Sequence, residues 1–519
     1  MAYATRMCWD SKQLLYQRSR WLRMTLVAKP PPGALAAVCS GSVGAVEDVL
    51  VDSSYGTLRG RTVDAGFLFG GIPYAAAPDG AGRYRRPERA RAWDGVRDAT
   101  ALGPALPQAA RTLPGLSSEP LLGAWEGGAP ALTVNVWTPD PAARGLPVLV
   151  WLHGGAFVAG SASLPAYDGS AWMRDGVVLV TVGYRLGVEG FVHFAGGDAN
   201  VALYDQLAAF AWVQEEIAAF GGDPGRVCAA GQSAGAMSLG WLLGSPRSRG
   251  LFTRAISMSG GVELTYSPAQ GERVAAHVAG CLGVEATAEA MRSVPLARVI
   301  EAQSQIAPGE IDLGDGERDP TAGMVWIAPV RDGDVVAEDP LGAVGSGAEV
   351  DLLAGDTSEE GRLYLAGVPG FDAFSEEALR AFAARVSPQG EALLAGYRGE
   401  EPDQAPGVLA ARLITDVAFC LPTKALLERH ASLGARSTYA YRFGWRSGAL
   451  GGRLGAAHAV DLPFVFETLD APGIAGADDA LLGADGGPPE LAARIHAAWV
   501  AFVSHGDPGW PAHPHVERL

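Results

Sequence analysis

The chain has 519 residues, of which 48% are hydrophobic and 19% charged, too apolar for a disordered chain and enough for a large buried core. A formal charge of −17 repels phosphate backbones and argues against a nucleic-acid partner. No uninterrupted apolar run approaches the roughly 18 residues that a membrane-spanning helix needs, so no membrane span is expected.

Residues 1–45 carry six Lys or Arg and one acidic residue, Asp10, a charge of +5 that leaves −22 on the rest. The apolar run around Leu35 to Val38 is short and follows Lys29-Pro30-Pro31-Pro32-Gly33, a poor core for a secretion signal. This segment reads as a mobile extension, or as sequence upstream of a start near Met24, and residues 46–519 read as a single domain. The five cysteines (Cys8, Cys39, Cys228, Cys281 and Cys420) are odd in number and show no CxxC or metal-ligand spacing. They suit small buried residues or free thiols in a reducing, cytoplasmic compartment, with secretion the weaker alternative.

From about Val46, strand and helix signals alternate, which predicts an α/β fold with a large, mostly parallel sheet and helices on both faces. Val148 to Leu152 and Val177 to Val182 are continuous apolar runs suited to strands buried on both sides. Val201, Leu207, Phe210, Trp212, Val213 and Ile217 give a helical period between Ala199 and Phe220, and Gly221-Gly222-Asp223-Pro224 stops it. Arg226 to Ala230 is a short strand, and Gly235 to Leu243 is a helix. The stretch from about 262 to 345 is helix and loop without strong periodicity, expected to cover the carboxyl edge of the sheet. Strands follow at Asp351 to Ala354 and Tyr439 to Phe443, and a helix at Glu490 to Val503 closes the chain.

Between the strand at Arg226 and the helix at Gly235 lies Gly231-Gln232-Ser233-Ala234-Gly235. A GxSxG pattern alone is short enough to arise by chance, but strand–turn–helix context forces the serine into an exposed, strained turn. Small residues at 231 and 235 let the two backbones pass closely, and Ser233 sits at a helix N-terminus that favours negative charge. A serine that attacks a carbonyl needs donors for the tetrahedral oxyanion. His153-Gly154-Gly155 directly follows a strand, so the amides of Gly154, Gly155 and Ala234 form a candidate three-donor hole; His153 itself reads as a residue holding its own turn.

The general base must come from nine histidines. His277, His430 and His496 lie on helical patterns, His513 and His515 in the terminal tail, and His193 and His505 in loops. His458 lies in the small-residue loop Gly455-Ala456-Ala457-His458 and satisfies the order Ser, acid, His expected of an elbow serine. The acid should follow the strand Asp351 to Ala354, where position leaves Asp356, Glu359 and Glu360 in contention.

With these residues the chain resembles the type-B carboxylesterase family, which includes bacterial para-nitrobenzyl esterases and the cholinesterases. The matching stretches include Gly71-Ile72-Pro73-Tyr74-Ala75, Asn135-Val136-Trp137-Thr138-Pro139, Tyr184-Arg185-Leu186-Gly187 and Phe220-Gly221-Gly222-Asp223-Pro224, over about residues 46 to 511. The resemblance implies the α/β-hydrolase fold, a serine carboxylesterase acting through an acyl-enzyme, and a triad of Ser233, His458 and Glu360. It selects Glu360 because the family's acid stands five residues past the strand's glycine, with a glycine after it. It implies no cofactor and no metal, a small-molecule ester as partner, a monomer by default, and a supporting role for Ser259 and Asp416.

Three departures from the family pattern carry information. Gln232 replaces the usual Glu before the nucleophile and removes a negative charge, which weighs against cationic substrates. Ala129-Pro130-Ala131 replaces the family's Glu-Asp-Cys, and Leu106 occupies the partner cysteine position, so the family's first disulfide cannot form and Arg83 must find a new partner. The chain also stops soon after Trp510-Pro511. Two other functions stay in view: a carbamate, amide or thioester hydrolase of the same mechanism, and a catalytically silent, neuroligin-like binding protein.

Overall fold

The computed structural model describes residues 48–314, 319, 321, 325–346, 349–434 and 436–519. The N-terminal extension read from the sequence lies outside these residues.

Twelve strands form one sheet. Its first part is antiparallel: Asp48–Ser53 pairs with Gly56–Val63, then Gly66–Pro73, then Thr133–Thr138, which meets Val178–Val182. From there every pairing is parallel, running through Leu146–Leu152, Gly222–Gln232, Arg254–Met258, Asp351–Thr357, Thr438–Phe443 and Val516–Arg518. The short strand Val96–Asp98 lies beside Gly56–Val63.

Alternation along the central strands divides their side chains between two cores. Val148, Val150, Leu152, Val178, Val180 and Val182 pack into one, Leu149, Trp151, Leu179, Cys228 and Ala230 into the other. All are at most 1% exposed, which is why these strands read as unbroken apolar runs.

Parallel register also gathers the carboxyl ends. Leu152 lies beside Gly231, Gln232 beside Met258, Met258 beside Gly355, and Thr357 beside Phe443. The loops that leave these strands therefore emerge together along one edge, the usual place for a site in such sheets.

The predicted helix before the serine runs as Val201–Glu216 with a tighter final turn, Ile217–Phe220, and stops at Gly221, whose φ of 86° continues no helix. The following strand starts earlier than expected, at Gly222, because Gly222 already bonds alongside Leu146 before a register shift. Ala234–Gly244 and Pro489–His505 form the other two expected helices. The second extends through His505, so that histidine ends a helix rather than sitting in a loop. The stretch after 262 folds as helices Pro268–Leu282, Ala288–Arg292, Leu296–Gln305 and Pro340–Ala343.

A separate apolar cluster joins helices Glu376–Val386, Gly390–Glu400 and Pro406–Ile414 through Leu379, Leu394, Leu409 and Leu413. The last continues through a widened turn at Thr415–Cys420 into Leu421–Leu433. By length and mean hydropathy the 28 residues Pro406–Leu433 resemble a membrane-crossing helix, but 67% of the apolar window is buried inside the protein. It serves as a packing element here.

Candidate active site

Ser233 sits between strand and helix with φ 56° and ψ −124°, a conformation costly for a residue with a side chain. Its amide donates to the Met258 carbonyl at 2.9 Å and its carbonyl accepts from Met237 at 2.8 Å, so the turn is held on both sides. The flanking glycines are required by space. A Cβ on Gly235 would stand 2.1 Å from the Leu152 carbonyl oxygen, and one on Gly231 would stand 2.5 Å from the Gly235 carbonyl carbon.

The loop after Leu152 is pressed against this turn. A Cβ on Gly154 would stand 2.5 Å from Gln232 Oε1 and 3.1 Å from Ser233 Cβ, and one on Gly155 would stand 2.0 Å from the Ala159 carbonyl oxygen. Gly155, Ala156 and Phe157 all have positive φ (119°, 56° and 64°), which curls the backbone into a concave turn. Among the described residues no carbonyl accepts from the amides of Gly154, Gly155 or Ala234, so these donors remain free for an oxyanion. His153 stays out of the chemistry. It is buried, stacked on Tyr184 at 4.5 Å and bonded through Nδ1 to the Gly154 carbonyl at 2.7 Å, and burial pushes its pKa down to about 4. A neutral ring that anchors the turn fits the structural reading made of it.

His458 and Glu360 are both buried, and His458 Nδ1 lies 2.5 Å from Glu360 Oε2. The carboxylate's other oxygen accepts from Ser259 Oγ at 2.5 Å and from the Thr357 amide at 2.7 Å. Both oxygens are thus committed, which fixes the carboxylate and, through it, the imidazole tautomer that carries its proton on Nδ1. Of the competing acids, Asp356 pairs with Arg442 at 2.6 Å, while Glu359 pairs with Arg362 at 2.8 Å, with Arg446 and with the Ala456 amide. Neither reaches His458. Asp416 also stays away from the triad, because its carboxylate accepts from Tyr397 on the neighbouring helix.

With Nδ1 protonated, His458 Nε2 carries the lone pair, and the Gln232 side-chain amide lies 3.1 Å from it. Gln232 therefore donates to the imidazole's free nitrogen, a contact that the charge-based reading of this position did not anticipate. Phe419, on the widened helical turn, packs against the imidazole at 4.6 Å between ring centres, and Tyr364 lies 5.8 Å away. No local pattern marks either aromatic in the sequence, since both reach His458 from segments remote in the chain. Three residues past His458, burial and the Glu360 charge push the buried Asp461 carboxyl up to about 8.

These groups meet in a cavity of about 220 Å³ lined by Ser233, His458, Gly154, Gly155 and Ala234 together with Leu113, Met237, Leu264, Tyr364 and Phe419. Two other buried histidines are engaged elsewhere: His430 bonds Thr438 at 2.7 Å, and His496 bonds the Val465 carbonyl at 2.7 Å. Arg83 pairs bidentately with Glu189 at 2.7 and 3.0 Å. Cys228, Cys281 and Cys420 are free thiols, and no cluster of His, Cys, Asp or Glu able to hold a metal occurs among the described residues.

Residues 47–516 match the carboxylesterase family. The chain is 35% identical to the para-nitrobenzyl esterase of Bacillus subtilis, covering 90% of this chain and 93% of that protein. It is 33% identical to the phenmedipham hydrolase of Pseudarthrobacter oxydans, over 88% of this chain and 90% of the relative. Among solved structures, a Geobacillus stearothermophilus carboxylesterase superposes with a TM-score of 0.75 at 34% identity, covering 90% of this chain and 96% of that one.

Proposed function

The chain belongs to the carboxylesterase family and is a carboxylic ester hydrolase of the α/β-hydrolase fold, and from that premise we propose that it acts through an acyl-enzyme on Ser233, with His458 as base and Glu360 as its orienting acid. The observation that carries this reading is the buried 2.5 Å contact between His458 Nδ1 and Glu360 Oε2, at the rim of a cavity shared with Ser233 and three free amides. Ser233 Oγ attacks the ester carbonyl and passes its proton to His458 Nε2, which first releases the Gln232 amide. The tetrahedral oxyanion accepts from Gly154, Gly155 and Ala234. Its collapse expels the alcohol, which takes the proton from His458 and leaves the acyl group on Ser233. Water, deprotonated by the same imidazole, then attacks the acyl-enzyme and frees the acid. Throughout, the Glu360 side chain orients the ring and stabilises the imidazolium.

The test is Ser233→Ala. Hydrolysis of p-nitrophenyl butyrate should fall by roughly 10⁴-fold or more while the melting transition persists. A fluorophosphonate should label the wild-type chain at Ser233 alone. An unchanged rate in the variant would refute the nucleophile. Failure of the folded wild type to label would favour the silent, neuroligin-like reading. Carbamates, amides and thioesters use the same nucleophile and hole and differ in leaving-group protonation, so a matched panel ranks them. A cytoplasmic setting remains part of the proposal, supported by the scattered free thiols and by Leu106 at the position of a family cysteine.

A further inference from the structure

Many arginines in this acidic chain have acidic partners, among them Arg83, Arg185, Arg362 and Arg442. Arg111 does not. It lines the active-site cavity, is exposed to solvent there, and makes no hydrogen bond or ion pair with any described residue. Its position is nonetheless built. Leu113, two residues on, donates its amide to Ser118 Oγ at 2.6 Å and pairs with Leu116 across a short bridge. Pro114 is packed so closely on Gly367 that a Cβ there would stand 1.7 Å from the Pro114 carbonyl oxygen.

Among the described residues, no Asp or Glu lines the cavity. At the elbow, where the family usually has Glu, Gln232 brings no charge. Glu360 is fully committed to His458, Ser259 and Thr357, and Glu359 to two arginines. Arg111 therefore lines a mostly apolar cavity in which no described residue supplies a counter-charge. The protein atoms around Arg111 lower its pKa, yet an arginine stays cationic at any ordinary pH. Tyr364 lines the same cavity, and its ring lies 5.8 Å from His458, the imidazole that hands a proton to the departing alcohol in the reading above.

We propose that Arg111 is a specificity residue that holds a carboxylate on the alcohol portion of the substrate, so that the preferred esters are anionic ones. The proposal rests on the catalytic reading above for the direction of the site. A planar guanidinium without an internal partner matches a carboxylate bidentately, and the apolar walls strengthen the pairing.

The test uses two butyrate esters of equal size, of 4-hydroxyphenylacetate and of 4-hydroxyphenylacetamide, whose phenols leave with similar ease because a methylene insulates the charge. Wild-type kcat/KM should favour the carboxylate ester by about tenfold. Arg111→Gln should bring that ratio to within about twofold of one, Arg111→Lys should leave an intermediate ratio, and added salt should erode the wild-type preference. A wild-type ratio near one, or a ratio that Arg111→Gln leaves intact, would overturn the proposal. Binding is measured separately in Ser233→Ala by calorimetry, where 4-hydroxyphenylacetate should bind more tightly than its amide only while Arg111 is present. Arg111-dependent binding with no turnover of either ester would support this inference and overturn the triad instead.

Discussion

The two halves of the candidate active site, named for the roles proposed above, are held in place by different physics. The elbow and oxyanion turn are positioned by excluded volume: Gly154, Gly155, Gly231 and Gly235 sit where any Cβ would collide, three of them with neighbouring backbone. The base half is positioned by side chains: Ser259, the Thr357 amide and Glu360 tether His458, and Phe419 and Tyr364 wall it in. Placement by volume tolerates no added atom but is indifferent to pH. Placement by charged hydrogen bonds accepts isosteric change but titrates.

The sharpest break is Gly235→Ala. With its methyl directed at the Leu152 carbonyl, the variant must displace the elbow, and a shift of even an ångström in the nucleophile costs about 10²-fold in rate. Esterase activity should drop at least that far by the same factor at every pH between 6 and 9; a pH-dependent loss would show that the elbow half also answers to charge.

Gln232→Glu probes the other half more gently. A carboxylate beside His458 Nε2 favours the imidazolium and so raises the pKa of the base. The acidic limb of the kcat/KM profile should move to higher pH by about one unit, with the plateau rate less affected. A profile that stays in place would mean that the Gln232 contact gives way before the proton moves.

The smallest effect concerns stability. Asp461 is buried and pushed up to about 8, whereas in the unfolded chain it ionises near 3.8. Between those values the folded protein holds a proton that the unfolded chain releases, so stability falls as pH rises through that window. Asp461→Asn removes the mismatch. The melting temperature should gain more at pH 8 than at pH 5, and equal gains at both would contradict the buried-acid account.

Much of the elbow half was legible in the sequence because its constraints are local. The apolar run ending at Leu152, the two glycines after it and the spaced glycines around Ser233 are all contiguous signals of backbone geometry. The base half was legible only in part. His458 stood out by order and by its small-residue loop, but position alone left three carboxylates in contention; the family resemblance chose Glu360, and in the structure Asp356 and Glu359 go to arginines. Phe419, Tyr364 and Arg111 carry no local mark at all. They enter the cavity from segments brought together only by the fold, and helices Glu376–Val386 to Leu421–Leu433 bury a small cluster of their own. Pocket walls of this kind are a tertiary property, and periodicity cannot report them.

Arg83 has a consequence for how the protein can be handled. Its guanidinium binds the Glu189 carboxylate and the carbonyls of Arg292 and Val294, so one side chain ties together three stretches far apart in the chain. This seam is a joint of charge and hydrogen bonds that no thiol can open. Millimolar dithiothreitol should therefore leave the seam intact.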